Sequence, residues 1–103
     1  MLSIKLEQSN NSAVIEKKPA ELKDKFPKYK VLLHNDQVNS MEYVTISLRE
    51  VVPQLSEQDA IAIMLEAHNT GIGLVIVCDL EPAEFYSESL KFKGISSSIE
   101  KED

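Results

Sequence analysis

Three polar side chains stand where they could act together: Asn35 and Asp36, just after an apolar run, and His68 in a separate segment. Asp36 and His68 would form an acid–base pair, and Asn35 would add an amide that both donates and accepts. An enzyme needs more. No nucleophile, phosphate loop or metal set accompanies them, and the only histidines, His34 and His68, lack metal-site spacing. The sequence therefore points away from turnover, and no cofactor or metal is expected. Each residue alone has a plain structural explanation. An Asn-Asp pair after a strand is usually a turn, and a histidine on an apolar stripe usually pairs with a backbone carbonyl. Neither accounts for three polar groups converging beside a methionine-lined apolar face.

That face comes from two helices. Met41 and Val44 stand at i and i+3 in one, and Met64, Ala67 and His68 at i, i+3 and i+4 in the next. Packed as an antiparallel hairpin, the two would flank one cavity with Asn35 and Asp36 at its mouth. The elements that must hold them are legible. YKVLLHN from Tyr29 reads as a strand. Asn39-Ser40-Met41-Glu42 fits a capping box with Asn39 as the cap, and Pro53 ends the helix that follows. Ser56 opens the second helix, with Glu57 and Asp59 in its first turn, and Gly71 closes it. Its stripe is Ala60, Met64, Ala67 and His68, flanked by Ile61 and Ile63. The continuous apolar run Gly73 to Cys78 predicts a central strand. Asp79 caps a third helix, with Pro82 in its first turn, Phe85 and Leu90 facing the core and Gly94 at its end. Ile95, Ser97 and Ile99 alternate as a last strand. The order β-α-α-β-α-β predicts an α+β fold, a small sheet with its helices on one face.

Bulk properties narrow the partners. The 103 residues, 43% of them hydrophobic, suit one small core. Residues 1–28 carry six Lys and four acids, +2; residues 29–103 carry five Lys or Arg and thirteen acids, −8. Such a domain repels nucleic acid and anionic membrane. The weakly basic N-terminal segment can still contact an acidic partner. Residues 1–27 read as a flexible extension, with at most a short helix near Ala20–Lys25, and residues 28–103 as the domain. Cys78, the single cysteine, reads as a small buried hydrophobe in a reducing compartment. With no signal peptide or membrane-length run, a cytoplasmic protein is expected, or a stromal one in a plastid lineage.

The block YKVLLHNDQVNSMEYV followed by AIAIMLEAHNTG resembles the ClpS family, adaptors of the Clp protease in the N-degron pathway. The resemblance is close over Tyr29 to Gly71 and looser from Ile72 to Ile99. It implies a three-stranded antiparallel sheet with three helices. It also implies binding of protein N-termini whose first residue is bulky and apolar, and their delivery to a Clp AAA+ ATPase. Amine capture with a side-chain pocket is a recurring recognition mode. By this resemblance Asn35, Asp36 and His68 hold the α-ammonium group. Met41 and Val44 match pocket and gate positions, Met64 matches the pocket floor, and Ala67 stands at a pocket position commonly filled by Val. For docking to the ATPase, Glu81 matches the family's acid, while Tyr86 stands where the family has lysine.

Other departures mark the variant. Gln37 replaces a second acid, Asn39-Ser40 replaces Thr-Pro, and Ser96 falls near a leucine position of the last strand. The third helix and the tail are several residues shorter. Such variants are similar to the second ClpS paralogue of cyanobacteria, whose unfoldase would be ClpC rather than ClpA. The alternative they keep open is a regulatory docking domain that binds the ATPase without selecting N-termini.

Overall fold

The computed structural model describes residues 26–103. The short helix expected near Ala20–Lys25, and all of the extension except Phe26 and Pro27, lie outside the described residues.

The observed order is β1 (Tyr29–His34), α1 (Met41–Val51), α2 (Glu57–Thr70), β2 (Ile72–Cys78), α3 (Leu80–Phe92) and β3 (Ser97–Lys101). This is the expected β-α-α-β-α-β arrangement, with a three-stranded antiparallel sheet in the order β2-β1-β3. Val31 and Leu33 of β1 turn toward the helices and are fully buried, while Lys30, Leu32 and His34 alternate onto the other face. The core joins them to Val44, Leu48, Ala60, Ile63, Met64, Ala67, Val75, Ala83, Leu90 and Ile95. A buried hydroxyl relay ties α3 to the sheet. Ser87 donates to Ser97, and Ser97 donates to the Leu32 carbonyl.

Three expectations about strand order, the α3 face and the α1 cap are corrected. First, β2 is an edge strand, not the central one. Its apolar run serves two purposes: Gly73 and Val75 are buried, whereas Ile72, Leu74 and Val77 lie exposed. One extra residue, Val75, is accommodated where Val31 pairs with Ile76 and Leu32 with Leu74. Second, Phe85 does not face the core; it is 65% exposed, and Ala83, Ser87 and Leu90 form the buried stripe of α3. Third, Ser40 caps α1, its hydroxyl accepting from the Tyr43 N–H. Asn39 is released for another task.

Both ends of α2 follow the sequence, whereas the start of α3 does so only in position. Ser56 and Asp59 form a reciprocal capping box at α2, and Gly71 ends it at φ 99°, a left-handed conformation that favours glycine. Asp79 occupies the cap position of α3, but its carboxylate pairs with Lys28 at 2.7 Å instead of capping an amide. Gly73 is needed for close approach: a Cβ there would lie 2.5 Å from the Ile63 carbonyl oxygen of α2. The missing side chain sets how closely α2 lies against the sheet.

Among the described residues, no helix is long and apolar enough to cross a membrane. Cys78 is half-buried rather than buried, and burial raises its thiol pKa, away from the reactive thiolate.

Candidate functional site

A cleft opens at the end of the sheet where β1 runs out. It is lined by Leu33, His34, Asn35, Asp36, Asn39, Met41, Val44, Met64, Ala67 and His68. All seven residues expected from the sequence to form the amine site and the side-chain pocket are therefore brought together. The cleft encloses about 280 Å³ including its open mouth.

The convergence has identifiable causes. Gly71 turns the chain at the end of α2, and its carbonyl accepts the Asn35 N–H at 2.9 Å. That bond fastens the end of β1 to the helix turn carrying Ala67 and His68. The Asn35 side-chain oxygen accepts the Asp36 N–H. One Asp36 carboxylate oxygen accepts from the Val38 N–H at 2.6 Å and the Asn39 N–H at 3.1 Å. The other accepts from the Asn39 side-chain amide. The Asn39 amide also donates to the Gly94 carbonyl at 2.9 Å, tying the loop to the α3–β3 connection.

Electrostatically the cleft suits a cation. Asp36 is held below the usual carboxylate range, chiefly by the Val38 N–H. Partial desolvation opposes that bond, and the side chain and backbone of Asn39 reinforce it. Asp36 is therefore ionised throughout the neutral range. The C-terminal end of α2 adds partial negative charge near His68. A carboxylate has about four lone-pair sites, and three are occupied, leaving one to receive a donor from a ligand. His68 is exposed, not part of the buried stripe of α2, so its ring is open to solvent and to the cleft. Among the described residues, no group of three or more His, Cys, Asp or Glu could hold a metal ion.

The apolar half is built from the two helices. Val44, Met64 and Ala67 are buried, whereas Met41, in the first turn of α1, is 44% exposed and forms a rim. Two polar lining residues had not been assigned to the site. His34 points onto the uncovered sheet face, where its Nε2 lies 2.7 Å from the Ser98 hydroxyl. Its place as the last residue of an apolar run was the available signal. Asn39 lay hidden behind its resemblance to a helix cap. Ser96 is exposed and does not line the cleft; its carbonyl accepts the His34 N–H.

The two residues expected to dock the ATPase are not part of the cleft. Glu81 is exposed in the first turn of α3. Tyr86 is half-buried, accepts from the Gln54 side-chain amide at 3.2 Å and contacts Phe85 edge-on.

Known proteins share this sequence and fold. The family model for the ATP-dependent Clp protease adaptor protein ClpS matches residues 24–97. The chain belongs to the ClpS family of Clp protease adaptors. It is 81% identical to the ATP-dependent Clp protease adapter protein ClpS of Prochlorococcus marinus (strain MIT 9515), over the full length of both chains. It is 43% identical to the chloroplastic adapter protein CLPS1 of Arabidopsis thaliana, over 72% of this chain and 46% of that one. Among solved structures, Agrobacterium tumefaciens ClpS2 bound to L-phenylalaninamide superposes with a TM-score of 0.68 at 30% identity. That match covers 74% of this chain and 98% of ClpS2.

Proposed function

We propose that the cleft binds the N-terminus of a protein whose first residue is bulky and apolar, and that the adaptor delivers this protein to a Clp AAA+ unfoldase. The observation that carries the reading is the meeting of acceptors Asn35, Asp36 and His68 with the apolar Met41, Val44, Met64 and Ala67 in one cleft. An α-ammonium group donates three hydrogen bonds, and the first side chain needs an apolar recess beside it. L-phenylalaninamide, the molecule bound to the ClpS2 relative, has both features, a free amine and a benzyl group. In this reading residues 28–103 hold the substrate, and Glu81 and Tyr86 contribute to ATPase docking. Residues 1–27 engage the ATPase during hand-over. A ClpC-type unfoldase fits the cyanobacterial and chloroplastic relatives, which also favour cytoplasm or plastid stroma.

The test is fluorescence anisotropy with peptides that differ only at residue one, with and without N-acetylation. Free Phe-, Tyr- or Leu-initiated peptides should bind, and Gly-initiated or acetylated ones should not. A second reading draws on Ala67 and on the loop bonds that already occupy most of the Asp36 carboxylate. It makes the protein a regulatory docking domain without N-terminal selectivity, and equal binding of all these peptides would favour it.

A further inference from the structure

The two edges of the sheet are finished differently. β2 is closed by side chains of α2. The Glu66 carboxylate accepts the Leu74 N–H at 3.1 Å, and the Thr70 hydroxyl lies 3.1 Å from the Ile72 carbonyl oxygen. No described residue closes β3 in this way. The His34 N–H donates to the Ser96 carbonyl and the Glu102 N–H to the Lys28 carbonyl, with the pairs Leu32–Ser98 and Lys30–Glu100 between them. Alternation along an antiparallel ladder then turns the backbone groups of Ser97, Ile99 and Lys101 away from β1. Ser97 is buried, but Ile99 is half-buried and Lys101 exposed, so the second half of β3 is accessible to another strand.

One stretch of this chain suits that edge. Leu2, Ile4 and Leu6 alternate with Ser3, Lys5 and Glu7, the period of a strand with one apolar and one polar side. These residues precede the described part of the chain, and that part starts beside β3, where the Lys28 carbonyl accepts from Glu102 at 2.8 Å. The nineteen residues from Glu7 to Lys25 reach up to roughly 60 Å, against roughly 17 Å for the five residues of β3. Reach therefore allows the segment to lie along β3 in either direction. The side chains match as well. Beside β3, an apolar side turned toward the helices would extend the core past Ile99, which is half-buried and packs against it. The polar side would then lie next to Ser98 and Glu100 on the uncovered sheet face. Glu100, Glu102 and Asp103 outnumber Lys101 at this end of the sheet, whereas residues 1–28 carry +2.

We propose that Leu2–Leu6 pairs with the outer edge of β3 as a fourth strand. The surface is the open half of β3, and its occupant is this chain's own extension, held by main-chain bonds as in strand addition. The pairing does not rest on the proposed function. If the extension also engages the unfoldase, it must first leave β3, and the sheet edge then holds it back until hand-over.

The test is residue-resolved amide exchange by NMR on the full chain, alone in solution. It compares the wild type with an Ile4→Pro/Lys5→Pro double variant. Successive N–H groups of a strand point to opposite edges, so two adjacent prolines remove one that faces β3 whatever the register. Both positions lie outside the domain's described core, and the Ser98 and Glu100 amides, held by β1, are the internal reference in both proteins. The Ile99 and Lys101 amides should exchange at least about tenfold slower in the wild type than in the variant. Free exchange of both amides in the wild type overturns the proposal, and so does protection that survives in the variant. Protection that grows with protein concentration would assign the edge to a second copy and overturn it too. Since no peptide or unfoldase is present, none of these results bears on what the cleft binds.

Discussion

The two ends of the sheet present opposite kinds of surface. At the end where β1 stops, loop 35–40 is cross-linked by its own side chains and fastened to α2 and to the α3–β3 connection. At the other end, where Tyr29 pairs with Cys78 and α3 begins, Glu81 is exposed and Asp79 is spent on a surface ion pair with Lys28. Along α3, Phe85 stands out from the surface and Phe92 is 94% exposed. The ends are separated by the six residues of β1, roughly 20 Å at a strand's rise per residue. A small charged group must meet acceptors already in place, because any reordering would be subtracted from a small binding energy. A protein partner brings a large surface of its own and tolerates a loosely defined patch. On the proposed function, a separation of this size lets a peptide occupy one end while the unfoldase occupies the other.

The largest expected effect comes from breaking the tightly held end. Asp36→Ala removes the carboxylate proposed to face the ammonium and leaves the Val38 N–H and the Asn39 N–H and side-chain amide without their acceptor. Loss of a charge-assisted bond costs on the order of 1.5–3 kcal/mol, so peptide affinity should fall about ten- to a hundredfold. Isothermal titration with a Phe-initiated peptide measures it, and an unchanged Kd would remove Asp36 from the site.

Next comes pH. Asp36 has a folded pKa below its unfolded value near 3.9, so its contribution to stability is fully present above that value. That contribution disappears only as pH falls through the lower, folded value. Affinity lost between pH 7 and 5 therefore does not come from Asp36. Above about pH 8 the free amine of the peptide deprotonates, so affinity should fall there. Titration of affinity from pH 5 to 10 checks both limbs.

Smaller effects concern the pocket wall. Met41→Ala, at an exposed rim, should admit Ile- and Val-initiated peptides with the fold intact, relieving a steric contact of roughly 1–3 kcal/mol. A variant that gains neither would make Met41 ordinary packing. Ala67→Val should weaken the bulkiest first residues most. Uniform weakening across Leu, Phe, Tyr and Trp would instead report overpacking of α2, at about 1–3 kcal/mol of stability. At the open end, Glu81→Lys and Phe85→Ser should change peptide affinity negligibly and stability by no more than about 0.5 kcal/mol, since both residues are exposed. Glu81→Lys should slow delivery of a reporter to the protease, and normal delivery would remove it from docking.

The sequence by itself determined the order of elements, because hydrophobic period and helix-end chemistry are local. Ser56, Gly71, Pro82 and Gly94 each act within a few residues of themselves. It also determined seven of the ten cleft residues, because an Asn-Asp turn and two short helical faces bring their own geometry. Only the tertiary structure decided the rest. The run from Gly73 to Cys78 looked central because every residue in it is apolar, yet strand order depends on pairing partners far along the chain, and β1 took the middle. Phe85 looked like core by type, but the small Ala83 and Ser87 let α3 approach the sheet, and the larger ring was left outside. Asn39 looked like a cap until the carbonyl of Gly94, distant in sequence, claimed its amide. Each of these outcomes is a contact between residues far apart in the chain, and no local pattern encodes which of several suitable partners such a residue will meet.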